Sequence, residues 1–183
     1  MNVLVLVGSL RAGSVNAQLA SEALAVLPEG VSATVYDGLG DLPHYSEDLD
    51  SPEPGQAPAS VQRFRAAVAA ADALVVVTPE YNGSMPGVIK SAIDWASRPR
   101  GTAAIAGKPV AVLSASMSPR AGAWARENAV RVLTVAGAKP LEHTVGVGSA
   151  FQTFSEGRLV DEQVRAEVVD LMTQLLEAEL VAA

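Results

Sequence analysis

The chain has 183 residues, no cysteine and a formal net charge of −7, and it is 49% hydrophobic with only 4% aromatic residues. That length and apolar content predict a single domain over residues 1–183 with one substantial core filled by Ala, Val and Leu, and exclude general disorder. The acidic balance argues against nucleic acid as a partner, because duplex binding needs Lys and Arg to neutralise phosphates, and the missing cysteine excludes disulfides, thiolate catalysis and iron–sulfur ligation.

The elements follow in chain order. Asn2–Gly8 is a continuous apolar run ended by glycine and predicts a buried strand. Leu19, Ala20, Ala23, Leu24 and Leu27 mark a helix that stops at Pro28. Val31–Asp37 alternates and predicts a second strand, and Gly38–Ser60, with four prolines, predicts a long connection or flap. Val61, Phe64, Val68 and Ala71 space a second helix; Ala73–Thr78 is an all-apolar strand of the parallel-sheet kind. Pro86–Ser97 predicts a helix with proline in its first turn. Lys108–Ser114 is a fourth strand, and Ala121, Ala125, Ala129, Val132 and Ala136 mark a helix ending at Gly137. Leu141–Val145 predicts a short fifth strand, Gly146–Gly157 an irregular patch, and Val164, Val168, Leu171, Leu175 and Leu180 a closing amphipathic helix. This alternation predicts a three-layer α/β sandwich around a five-stranded parallel sheet, with the flavodoxin-like order 2-1-3-4-5 among the few arrangements open to it.

In such a sheet, ligands bind beyond the carboxyl ends of the strands, at the switch point between strands 1 and 3. The loops placed there are Ser9–Asn16, Pro79–Met85 and Ser114–Gly122. The first, GSLRAGSVN, lacks the Lys-Ser of a triphosphate-binding loop and the close-spaced glycines of a dinucleotide loop. Its hydroxyls, amide, guanidinium and helix-start N–H groups suit a terminal phosphate monoester; the plainer reading is that Ser14 only caps the helix. In the second, Asn82-Gly83 is a turn signal, whereas Tyr81 offers a ring face or hydroxyl to a ligand, or else packs in a core or subunit interface.

GSLRAGSVN and the later TPEYNGSMPGVIKSAIDWASRP together resemble the NAD(P)H-dependent FMN reductase family, the flavodoxin-like group that includes bacterial quinone, azo-dye and chromate reductases, over roughly Val3 to Ala138. The resemblance implies that Ser9, Arg11, Ser14 and Asn16 bind the FMN phosphate. It implies that Pro79, Glu80, Tyr81, Asn82, Gly83 and Ser84 wrap the isoalloxazine and ribityl chain. It also implies that the helix Val88–Trp95 builds a homodimer, with dimers pairing into tetramers. The third loop, SASMSPRAG, departs from the family's glycine-rich turn at Met117, Ser118 and Pro119; Ser114 and Ser116 remain able to bond the flavin's edge, and Gly122 to preserve a close approach, unless the segment is a turn without ligand contact.

The implied chemistry is a ping-pong exchange. NADPH or NADH delivers hydride to FMN, and a small-molecule acceptor (quinone, flavin or azo compound) then takes the electrons in the same space, with no catalytic side chain beyond the cofactor. A flavodoxin-type electron carrier, a reductase that uses free FMN as substrate, and a non-catalytic binding protein are the other readings. His44 and His143 have no ligand pattern near them, so no metal is expected, and Ser84 lies outside a G-x-S-x-G elbow, which leaves a serine hydrolase a weak alternative. Asp94 and Trp95 read as helix-surface packing; Arg98 and Arg100 read either as partners of a cofactor phosphate or as helix C-terminal caps. No signal peptide or membrane-length apolar run is present, so a cytoplasmic protein without a membrane partner is expected.

Overall fold

Strand β1 (Asn2–Val7) sends alternate side chains to opposite faces of the sheet, and both faces are buried. The computed structural model describes residues 1–50 and 57–182, with side chains described through residue 179. Val3 and Val5 join Val75 and Val77 of β3 (Ala73–Val77) and Leu113 of β4 (Pro109–Ala115) under two helices, α1 (Val15–Ala25) and α6 (Glu162–Ala182), which contribute Leu19, Leu171 and Leu175. Leu4 and Leu6 join Leu74, Val76 and Val112 on the other face. There α2 (Ala59–Ala70), α3 (Gly87–Ala96) and α4 (Ala123–Val135) bring Phe64, Ile89, Trp95 and Leu133. Burial on two faces is why β3 and β4 are apolar without alternation.

The sheet is parallel with the order β2-β1-β3-β4-β5, β2 being Ser32–Val35, and registers such as Val3↔Ala73 and Leu74↔Val110 hold it in line. The predicted flavodoxin-like order is the observed one. The predicted fifth strand is not continuous over Leu141–Val145. Two short strands, β5 (Lys139–Pro140) and β6 (Val145–Val147), pair with opposite ends of β4 instead. Pro140 has no N–H for the ladder, and between the two strands Thr144 turns to accept a hydrogen bond from Arg126 Nε at 3.1 Å. Pairing resumes where Gly146 lets the Arg126 guanidinium pass; a Cβ there would lie 1.9 Å from Nη1.

After β6 a single turn, α5 (Ala150–Thr153), leads into a hairpin of β7 (Phe154–Ser155) and β8 (Arg158–Leu159). The hairpin is tied to α1 by Arg158 Nε and the buried carboxylate of Glu22, 2.7 Å apart.

The Gly38–Ser60 connection is described up to Asp50 and from Ala57; its residues 51–56 lie outside the described residues. Two 3₁₀ turns, Leu39–Asp41 and Glu47–Leu49, shape the first part. Trp95 anchors it. Predicted as surface packing, Trp95 is fully buried, donates its Nε1–H to Pro43 O at 2.8 Å and meets the Tyr45 ring edge-on at 4.9 Å. Asp94 does lie at the helix surface, paired with Lys90 one turn earlier. Arg65 completes the anchor by donating to Trp95 O and to Asp50 Oδ1.

Candidate functional site at the strand ends

Glycine at position 8 lets the first two loops meet. A Cβ there would sit 2.7 Å from Ile89 Cγ1 and 3.0 Å from both Pro79 and Pro86, so only a bare Cα fits between β1's end and the start of α3. Loop 1 then runs through Gly13, in the left-handed region at φ 65, to Ser14, the N-cap of α1. Ser14 Oγ accepts from Asn16 N–H at 3.2 Å, which leaves its own hydroxyl hydrogen as a donor at the helix start. Arg11 is exposed and, among the described residues, makes no hydrogen bond or ion pair. Ser9 is half-buried beside it.

Asn16 behaves differently from its neighbours. It is buried, accepts from Ala115 N at 2.9 Å and donates to Ala115 O at 3.0 Å. The side chain thus completes the backbone of β4's last residue and staples the first loop to the third.

Loop 2 is a two-residue hairpin. Tyr81 and Ser84 exchange backbone hydrogen bonds of 2.9 and 3.1 Å, and Asn82 and Gly83 carry φ values of 52 and 75. Positive φ at both central residues is the type I′ signature that Asn-Gly favours. The turn leaves Tyr81 53% exposed at the mouth. Its flanking polar side chains reach across to α4: Glu80 Oε2 accepts from Ala125 N at 3.2 Å, and Ser84 Oγ donates to Asn128 Oδ1 at 2.8 Å. α4 has Gly122 as N-cap, which offers no side chain, and no acidic residue in its first turn. Glu80 therefore supplies from a distant loop the carboxylate that a helix start favours.

Loop 3 is held by a group that sequence reasoning missed. Arg126 donates through Nη1 to Ser114 Oγ at 2.7 Å and to Ala121 O, while Ser114 Oγ donates to Ala121 O as well. These bonds hold Ala121 at φ 55, a conformation costly for a residue with a Cβ. Gly122 keeps a close approach, but to Ser114: a Cβ would lie 2.9 Å from its Oγ. Burial pulls Arg126 down from the usual arginine range, and the carboxylates of Glu127 and Glu80 act in the opposite direction. The signal for Arg126 was local conflict. A cation in the first turns of a helix opposes the macrodipole, and such conflicts mark residues held by tertiary contacts.

Of the twelve sequence-predicted residues, Ser9, Arg11, Ser14, Pro79, Tyr81, Asn82, Gly83 and Ser116 lie in the three loops that follow β1, β3 and β4. Asn16, Glu80, Ser84 and Ser114 lie in the same loops with their polar atoms already bonded: Asn16 to Ala115 at the end of β4, Glu80 and Ser84 to α4, and Ser114 to Ala121 within loop 3. Ser116 Oγ accepts from Ser118 N at 3.1 Å in a local turn. Arg98 and Arg100 follow the far end of α3, roughly 15 Å from loop 2 by helical rise; the Arg98 guanidinium lies over Tyr45, 5.5 Å from the ring centroid.

The donor set fits a flavin mononucleotide. A dianionic phosphate needs several donors and partial charge compensation; loop 1 offers a guanidinium, two hydroxyls and the first N–H groups of α1. Among the described residues no group of three His, Asp or Glu side chains could hold a metal ion, and no helix is long and apolar enough to cross a membrane.

The chain is similar to known oxidoreductases. An NAD(P)H-dependent FMN reductase from Pseudomonas aeruginosa is 40% identical over 97% of this chain and 92% of its own length. A quinone reductase from Escherichia coli is 34% identical over 93% of this chain and 86% of its own. Among solved structures, the flavoenzyme FerB, an NAD(P)H:(acceptor) oxidoreductase from Paracoccus denitrificans, superposes with a TM-score of 0.86 at 31% identity, over 98% of this chain and 97% of that one. Residues 1–152 match the family described as NADPH-dependent FMN reductase. The strand-end loops, the sheet order and these relatives converge: the chain belongs to the NADPH-dependent FMN reductase family, a family of oxidoreductases.

Proposed function

We propose that the chain binds FMN at the strand ends and reduces quinones or similar small acceptors with NAD(P)H by a ping-pong exchange. The observation that carries this reading is Arg11, exposed ahead of the start of α1 and without a hydrogen bond or ion pair among the described residues, with an exposed tyrosine on the Asn-Gly turn of the loop after β3. FMN held there would supply the hydride and electron-transfer chemistry.

The chain's own residues bind and position. Ser9, Arg11, the Ser14 hydroxyl and the N–H groups opening α1 hold the phosphate. The backbone of Pro79 to Gly83 and the Tyr81 ring line the space for the isoalloxazine, with Ser116 at the third loop. Asn16, Glu80, Ser84 and Ser114 act through the loops they fasten, so that these donors are aimed before any ligand arrives. Two copies pairing through α3 and α4 is part of the proposal. Its support is Val135, 85% exposed on α4, beside a groove of about 570 Å³ floored by Ile93, Val132 and Ala136; light scattering on the purified protein reads the state.

The test is spectroscopic. The purified chain is expected to carry, or take up, FMN, to bleach anaerobically with NADPH and to recover its colour on adding a quinone. Colour that persists with both nicotinamides assigns an electron carrier, and protein that neither binds nor turns over FMN removes the reading. Arg11→Ala is expected to weaken FMN binding by about 1.5–3 kcal/mol, the worth of charge-assisted hydrogen bonds. Its apo melting temperature should stay put, since Arg11 has no partner among the described residues. Fluorescence titration of apo protein checks the first and calorimetry the second.

A further inference from the structure

We infer that Arg120, braced on Trp124 at the rim of loop 3, docks a phosphate of the nicotinamide dinucleotide; the inference rests on the FMN reductase reading above. The Arg120 guanidinium carbon lies 4.2 Å from the centroid of the Trp124 ring. Among the described residues the guanidinium makes no hydrogen bond or ion pair. Contact with the ring holds the guanidinium in place while its N–H groups stay without partners among the described residues, so they are free to take a phosphate through paired hydrogen bonds.

The support beneath it is ordered. Ser118 Oγ accepts from Arg120 N at 3.3 Å, and Ser116 Oγ from Ser118 N. Pro119 is packed so closely under Gly148 that a Cβ there would lie 2.8 Å from Pro119 O. Trp124 abuts the loop 2 turn, 3.3 Å from where a Cβ on Gly83 would be.

FMN has one phosphate, and its cradle follows β1. Arg120 follows β4, two strands along the sheet, about 10 Å at ordinary strand spacing. The second cation therefore meets a second anion. The hydride donor must enter the same mouth, and it carries a pyrophosphate and, in its phosphorylated form, a 2′-phosphate. Trp124 beside the cation, and Tyr81 and Met117 on loops 2 and 3, are exposed and offer flat or pliable apolar surface to its rings. In a chain of net charge −7, a single pre-placed guanidinium also offsets the repulsion that a polyanionic donor meets on approach.

Arg120→Met keeps a stem against the indole and removes the charge. Calorimetric titration of the FMN-loaded protein with 2′,5′-ADP and with ADP, neither of which donates hydride, reads the phosphate directly; KM values for NADPH and NADH follow. The expected result is about tenfold weaker binding and a matching rise in KM, with kcat and FMN affinity unchanged and partial recovery in Arg120→Lys. Loss confined to 2′,5′-ADP and NADPH places the 2′-phosphate on Arg120, and loss shared with ADP and NADH places the pyrophosphate there. Unchanged nucleotide affinity overturns the inference, as does an equal loss of FMN, which would move Arg120 to the flavin site. A wild-type chain that binds neither FMN nor these nucleotides overturns both this inference and the reading beneath it.

Discussion

Asn16→Leu is expected to lower the stability of the apo protein by about 3 kcal/mol, a fall of roughly 10 °C in melting temperature for a domain of this size. The side chain is 3% exposed and satisfies both backbone groups of Ala115. Leucine fills similar volume but leaves a buried N–H and C=O without partners, and each orphaned group costs on the order of 1–3 kcal/mol. The consequence reaches the site: β4's end is no longer stapled to the loop that carries Arg11, so FMN affinity falls with stability. Urea unfolding of apo wild type and variant decides the matter, because a residue that served the flavin phosphate alone would leave apo stability unchanged while flavin affinity dropped. In that outcome Asn16 is a ligand and the Ala115 clamp is incidental.

Trp95→Ala is expected to be the more damaging change, at about 4 kcal/mol, in the range for truncating a buried tryptophan. The indole is fully buried between β-sheet and flap, and the substitution removes its volume together with the hydrogen bond to Pro43 O. It also removes the ring that Arg65 covers at 5.3 Å and that Tyr45 meets edge-on. The flap over residues 39–50 would then keep the Arg65–Asp50 ion pair and the buried Leu39 as its ties. That flap touches the site, since a Cβ on Gly40 would lie 3.3 Å from Leu10 Cδ1 in loop 1. Trp95→Phe separates the two contributions. It keeps most of the packing and loses the N–H, and about 1–2 kcal/mol is expected for leaving Pro43 O unpaired. Thermal and denaturant unfolding of the three proteins measures this; a Trp95→Ala protein within 1 kcal/mol of wild type would falsify the core role given to the ring.

Both residues show where reading the sequence stopped. Asn16 was placed with Ser9, Arg11 and Ser14 because the four share one polar loop, and a loop sequence does not say which amide faces inward. Trp95 stands at the edge of the apolar stripe Ile89, Ala92, Ile93 and Ala96 of α3, next in sequence to Asp94, so the stripe alone does not place it inside. The structure buried one and exposed the other because the flap, whose fold has no periodic signal, packs on that side of α3. The fifth strand failed for a comparable reason. Lys139 to Val147 has enough apolar residues for one strand, but Pro140 cannot donate to the ladder and Thr144 is drawn to an arginine on a neighbouring helix.

The sequence by itself determined the alternation of strands and helices, the apolar centre of the sheet, the Asn-Gly turn and the position of three polar loops beyond the strand ends. These rest on period, on turn chemistry and on chain order, all of which are local. Only the tertiary structure decided what each polar side chain in those loops is for. Asn16 bonds a residue 99 positions away, Glu80 one 45 away and Ser84 one 44 away, and hydrogen bonds over such separations exist only once the sheet has brought the loops together. Arg11 and Arg120 stand apart because folding leaves them exposed and, among the described residues, without a hydrogen bond or ion pair to their guanidinium groups, so an anion can reach them.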